Sequence, residues 1–205
     1  MTFALDVEQI NAAASRIIGN LKEESLAAYC FLHEQWGQGS AVDNKLFQFV
    51  FRSFYRLDNA GLTDTFKERY FELLEASRVD GPDIETICAE LYAIKNRKGQ
   101  ASLQFSFVTK LANMVNSELP IYDSEVAKMY GYKAPASSKP LNERLTHLLQ
   151  FYDCLAADYQ KILADGSLNE SITHFDSTFA RYTPLLSPSK KLDFIVWSAG
   201  KLAGK

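Results

Sequence analysis

The chain has 205 residues, 47% hydrophobic, 23% charged and 13% aromatic, with a formal net charge of −3. That balance excludes a largely disordered chain, and the slight acidity excludes a surface that attracts polyanions everywhere, so any nucleic-acid contact must come from a local basic patch. No apolar run approaches the roughly 18 residues that span a bilayer, so no membrane partner is expected.

Met1 to Glu8 has no basic leader region and meets acid at Asp6, which gives a cytoplasmic expectation. Asp6 reads as the N-cap of a first helix, with Gln9 closing a capping box and Ile10, Ala13, Ala14, Ile17 and Ile18 on one face; Gly19-Asn20 ends it. Glu23 to Trp36 follows, then Gly37-Gln38-Gly39-Ser40, a loop by composition. Asp43 to Leu57 carries Leu46, Phe47, Val50, Phe51 and Phe54, and Asp58-Asn59-Ala60-Gly61 stops it. Thr63 to Ser77 is helical in period, and Asp80-Gly81-Pro82-Asp83 joins a turn to the N-cap of a helix that runs to about Asn96. Ala101 to Asn116 is next. Pro120 then breaks the chain before a short helix from Asp123 or Ser124 to Tyr130, with Gly131 at its C′ position. Lys133 to Pro140 is a loop. Asn142 to Ala164 is a long helix with Leu145, Leu148, Leu149, Tyr152, Leu155, Ala156, Tyr159 and Leu163 inward, and Leu168 to Tyr182 and Ser189 to Leu202 complete the set. The prediction is an all-α fold, a single orthogonal multi-helix domain of about nine or ten helices, with a two-lobed arrangement about the 133–140 loop as the variant.

Metal and cofactor chemistry find no motif. His33, His147 and His174 lie on separate helices, and Cys30, Cys88 and Cys154 are far apart in apolar patterns, where they read as small core hydrophobes. Gly37-Gln38-Gly39-Ser40 lacks the Gly-Lys-Ser/Thr of a phosphate loop, and Gly-x-Ser-x-Gly is missing. No metal and no cofactor are expected.

Charge is more informative. Leu91 to Ser117 holds Lys95, Arg97, Lys98 and Lys110 and no acidic residue. Lys95, Arg97 and Lys98 suit either a phosphate backbone or the negative end of a helix dipole. Lys45, Arg52 and Arg56 form a second basic line with Phe49 between them, which reads either as a solvated face or as phosphate contacts with stacking. Within Ala101 to Asn116, Ser102, Ser106, Thr109 and Asn113 recur at steps of 4, 3 and 4 and make one polar stripe on an apolar helix. Lys110 borders that stripe, either snorkelling or held in a partly desolvated pocket, the state an amine nucleophile needs. Asp123 is an N-cap by position; a carboxylate at a helix start can also orient a water or steady developing positive charge.

Phe107-Val108-Thr109-Lys110, Leu119-Pro120-Ile121-Tyr122-Asp123-Ser124-Glu125-Val126 and the closing Leu192-Asp193-Phe194-Ile195-Val196-Trp197 resemble the helix-hairpin-helix base-excision DNA glycosylases, particularly those of the 8-oxoguanine type and their degenerate relatives. The resemblance implies a DNA-glycosylase-like architecture, DNA as the partner and Asp123 as the catalytic aspartate. Cleavage would follow extrusion of a damaged base, with Lys110 or Lys98 forming an imine. On this reading Asp123 and Lys110 are the catalytic pair, and Lys95, Arg97, Lys98, Ser106 and Tyr122 bind. The chain departs from the family in its hairpin: only Gly99, in Lys98-Gly99-Gln100, stands where the family has a Gly-x-Gly turn that offers backbone amides to a phosphate. Two readings stay open, a nucleic-acid-binding protein of glycosylase-like build and a non-catalytic module that binds a protein partner or itself.

Overall fold

The computed structural model describes residues 3–204; Met1 and Thr2 of the N-terminal stretch lie outside them. Among the described residues the chain is all-helical, with eleven α-helices: α1 Val7–Ala12, α2 Ala14–Gly19, α3 Glu23–Gln38, α4 Lys45–Phe54, α5 Asp64–Asp80, α6 Ile84–Ala93, α7 Phe105–Val115, α8 Ser124–Met129, α9 Leu141–Asp165, α10 Asn169–Thr178 and α11 Pro188–Ala203. Short 3-10 turns occupy Leu57–Ala60 and Thr183–Leu185. The chain divides into a first unit, Met1–Glu24 with Ser117–Lys205, and a second unit, Ser25–Asn116. The 133–140 loop lies inside the first.

Side-chain acceptors set most helix starts. Asp6, Thr63, Asp83 and Ser187 each accept the N–H three residues on, and Asp123 accepts that of Glu125. Each satisfies an amide that has no partner inside its helix. Asn44 caps α4, which starts at Lys45 rather than at the expected Asp43. Pro188 occupies the first turn of α11, where its missing N–H costs nothing, so that helix begins before the expected Ser189. The predicted first helix is split into α1 and α2 at Ala13, whose N–H is shared between Gln9 O and Ile10 O at 3.2 Å. Gly131, at φ +62°, ends α8: its N–H bonds Lys128 O and that of Tyr132 bonds Ala127 O, the paired closure that favours glycine.

In the first unit α11 is the central element, burying Leu192, Phe194, Ile195 and Val196, with α8 and α9 packed on it. Close approach to α8 depends on Gly200, where an added Cβ would meet Glu125 O at 2.2 Å. Along α9 the inward positions are Leu145, Leu148, Phe151, Tyr152, Leu155, Tyr159 and Ile162. Leu149 and Leu163, expected inside, are half-buried, because Phe151 and Ile162 keep the 3–4 spacing on the covered stripe.

The second unit packs α7 against α5 and α6. Its centre is aromatic: Phe47, Phe51, Tyr70 and Phe71 meet at ring separations of 5.6–6.1 Å. Several element ends differ from expectation: α3 runs on to Gln38 through part of the expected loop, α5 runs on to Asp80 and α6 stops at Ala93. Helix α4 stops at Phe54 because Arg56 takes the left-handed conformation, φ +59°, and starts the 3-10 turn. Helix α7 starts at Phe105 rather than Ala101, since Gln104 Nε2 donates to Ser102 Oγ at 2.8 Å and the preceding residues close a tight turn.

Gly200→Ala forces α8 and α11 apart against backbone, so a loss of about 1–3 kcal/mol is expected. Urea denaturation of the variant measures it, and an unchanged midpoint would mean that this contact does not limit the packing.

Candidate functional site

The turn between α6 and α7 is built by Asn96. Its Oδ1 accepts the N–H groups of Lys98, at 2.9 Å, and Gln100, at 3.1 Å. Its own N–H bonds Gln100 O and its carbonyl accepts the N–H of Gly99, both at 2.9 Å, with Gly99 at φ +74°. The N–H of Arg97 goes to Gly61 O at 2.9 Å. Every amide from Arg97 to Gln100 thus has an acceptor within the chain. A hairpin of the glycosylase kind offers such amides to a phosphate. Here they are occupied, and the side chains of Lys95, Arg97 and Lys98 are what the turn exposes. Arg97 and Lys98 lie beyond the last turn of α6, past the reach of its dipole.

The second basic line meets this turn. The Arg97–Gly61 bond, and a contact of 3.5 Å from Thr63 Oγ1 to Lys95 O, seat the turn on the segment that follows α4 and its 3-10 turn. Asp58 and Asp64 lie in the same place: Lys67 Nζ is 3.2 Å from Asp58 and 2.7 Å from Asp64, and Arg52 Nε is 3.7 Å from Asp58. Lys67 holds the Asp64 carboxyl below its usual range by a hydrogen bond and by its charge, and Arg97 and Arg52 add to the effect. Two basic stretches forty residues apart in sequence therefore act on one carboxylate. Lys45 Nζ, at the far end of α4, bonds Val42 O at 2.9 Å. Between Lys45 and Arg52, Leu46 and Phe49 are each 59% exposed.

Lys110 is only 9% exposed, the buried one of its two expected states. Its Nζ donates to Ser106 Oγ at 3.1 Å and sits 5.0 Å and 5.7 Å from the ring centroids of Phe107 and Tyr55. The polar stripe on α7 is partly consumed by packing: Asn113 Oδ1 accepts the Tyr29 hydroxyl at 3.2 Å, and Thr109 Oγ1 donates to Ser106 O at 3.1 Å.

Tyr122 and Asp123 belong to the first unit, whereas Lys95, Arg97, Lys98, Ser106 and Lys110 belong to the second. The turn that carries Tyr122 and Asp123 is clamped from α9 and α11. Tyr152 donates to Pro120 O at 2.9 Å, Asp193 Oδ1 accepts the N–H of Ile121 at 3.2 Å, and Ser189 donates to Glu118 at 2.8 Å. Asp193 Oδ2 in turn pairs with Lys190 at 2.7 Å, both side chains being buried. The Tyr122 hydroxyl has its pKa raised by burial and by Asp123.

One feature escaped the sequence reading. A cleft of about 610 Å³ in the first unit lies along α1, α2 and α10, and Glu170 and His174 line it one helical turn apart. Their i, i+4 spacing was the available signal. Of the cysteines, Cys88 is buried, with its thiol pushed up to about 12 by desolvation, while Cys30 and Cys154 are half-buried. Among the described residues no helix is long and apolar enough to cross a membrane, and no group of three or more histidine, cysteine or carboxylate side chains is set to hold a metal.

No family model matches the chain, nor does any curated protein or solved structure. The glycosylase resemblance therefore rests on the residues quoted for it.

Because the Asp64 carboxyl is lowered in the folded chain, its pairing stabilises the fold above the unfolded carboxyl pKa and is lost as pH falls through the folded value. In a carbon-detected NMR titration, Lys67→Met is expected to raise the Asp64 midpoint and Arg97→Ala to raise it by a smaller step. A midpoint unmoved by Arg97→Ala would separate the two basic stretches electrostatically.

Proposed function

We propose that this chain binds nucleic acid through the surface of the second unit that carries Arg52, Arg56, Lys95, Arg97 and Lys98. The observation that carries the reading is the bond of 2.9 Å from Arg97 N–H to Gly61 O, which seats the Lys95–Lys98 turn against the segment that follows α4. Arg52, Arg56, Lys95, Arg97 and Lys98, five of the 22 lysines and arginines of a chain of net charge −3, make a local cationic cluster of the kind a phosphate backbone requires. Contact is made by side chains rather than by backbone amides, since Asn96 and Gly61 occupy the latter. Such binding depends steeply on salt and follows charge more than base identity.

Base excision is the second reading, and the resemblance of the Asp123 segment supports it. Asp123 accepts the Glu125 N–H at 2.9 Å, the position of a structural N-cap, which favours binding over catalysis.

Fluorescence anisotropy on a labelled oligonucleotide tests the binding. Replacing Lys95 and Lys98 together by alanine is expected to weaken binding and to make the slope of log K against log salt shallower by about 1.4–1.8. An unchanged slope would remove this turn from the interface. Borohydride treatment with an abasic duplex is expected to trap no adduct; an adduct that disappears in Lys110→Ala or Lys98→Ala would establish lyase chemistry instead.

A further inference from the structure

We infer that the nucleic acid held at this surface is an unpaired strand, with Phe49 stacking on one of its bases; the inference rests on the binding proposed above. Helix α4 buries Phe47 and Phe51 on one side and turns Phe49 outward, 59% exposed, with Leu46 equally exposed beside it. Lys45, Phe49 and Arg52 follow steps of 4 and 3 on α4, so the ring stands between two cations on one face, and Arg56 lies just past the end of the helix. Lys45 and Arg52 are seven residues and about 10 Å apart along the axis. The order cation, ring, cation repeats what one strand offers, with a phosphate on either side of a base.

A duplex does not use this arrangement. Its base faces are covered by their neighbours, and its grooves display edges, which an aromatic ring without polar atoms cannot read. An unpaired base has an open π-face, and stacking on it shields the ring from water. Charge argues against an apolar protein partner: the exposed ring is bordered by Lys45 and Arg52, and Arg56, Arg97 and Lys98 are exposed on the segments beyond α4, where Asp58 and Asp64 are paired with Arg52 and Lys67.

Arg56 supplies an independent observation. Among the described residues it is the one non-glycine at positive φ, and neighbouring Gly61 shows that the chain uses glycine where only the backbone matters. Its N–H bonds Ser53 O and its carbonyl accepts Asn59 N–H, so its backbone makes the turn. Its side chain is exposed and forms no ion pair within 4 Å among the described residues. Glycine would hold that turn with less strain, and the arginine there instead presents a guanidinium to solvent.

The test compares labelled (dT)12 with a blunt 12-base-pair duplex under the same salt. The strand is expected to bind at least about tenfold tighter than the duplex. Phe49→Ala is expected to weaken (dT)12 binding about 5- to 100-fold while changing duplex binding less than about twofold, and Phe49→Trp to restore it. Arg56→Gly is expected to raise the denaturation midpoint and weaken the strand complex, opposite signs that a merely structural arginine would not give. Equal affinity for strand and duplex, or a Phe49→Ala variant that binds (dT)12 like wild type, overturns the unpaired-strand inference and leaves the proposed binding standing. Failure of both probes to bind overturns the proposed binding itself, as does a self-associating chain whose association alone is lost in Phe49→Ala.

Discussion

The Asp193 carboxylate is the point on which the first unit is organised. It is buried in α11, and its two oxygens do different work: one pairs with Lys190 a turn earlier, the other takes the N–H of Ile121 from a segment seventy residues away in sequence. Burying a charge is costly unless it is paired and hydrogen-bonded, and a pair that loses one partner leaves the other charge stranded. The pair therefore fixes more than itself. With Tyr152 holding Pro120 and Ser189 holding Glu118, it leaves the turn before α8 little choice of path, so Asp123 arrives at the head of α8 in capping geometry.

A different economy operates in the second unit, where neutral groups fix the backbone and charges are left outside. One carboxamide, that of Asn96, closes the α6–α7 turn, and one carbonyl, that of Gly61, docks it. Because amides and carbonyls satisfy each other there, no lysine or arginine is spent on holding the loop. The carboxylates present, Asp58 and Asp64, are shared among Arg52 and Lys67, with Arg97 felt at longer range, and do not cancel the cations of the turn.

How much of this was legible in the sequence follows from the range of the forces. Asp6, Asp83 and Asp123 could be read as caps, and Gly131 as a stop, because a cap is an interaction within a few residues. The helices, expected at about nine or ten, likewise follow from apolar spacing, but the break at Ala13 that divides the first of them into α1 and α2 does not. Helix α7 starts later than periodicity alone predicts, since Ser102 and Gln104 make a local side-chain bond that periodicity does not register. Both basic stretches were visible as composition, but their meeting was not: it depends on Arg97 N–H finding Gly61 O, a long-range pairing with no local signature. The cleft beside Glu170 and His174 was overlooked even though its two residues were one turn apart, because its other wall comes from the opposite end of the chain.

The order of the two units along the chain bears on synthesis. The second unit is continuous, Ser25–Asn116, whereas the first is assembled from segments on either side of it. During translation the inner unit is complete while α1 and α2 still lack the partners that cover Ile10, Ile17 and Ile18. Those partners include Ser198, whose hydroxyl caps Ile17 O across 181 residues, and Asp158, which receives the N–H of Leu5. Contacts so distant in sequence form late and carry the largest loop-closure entropy. Helices α1 and α2 thus keep their apolar faces uncovered until α10 and α11 have been made, and exposed apolar surface of that kind favours aggregation.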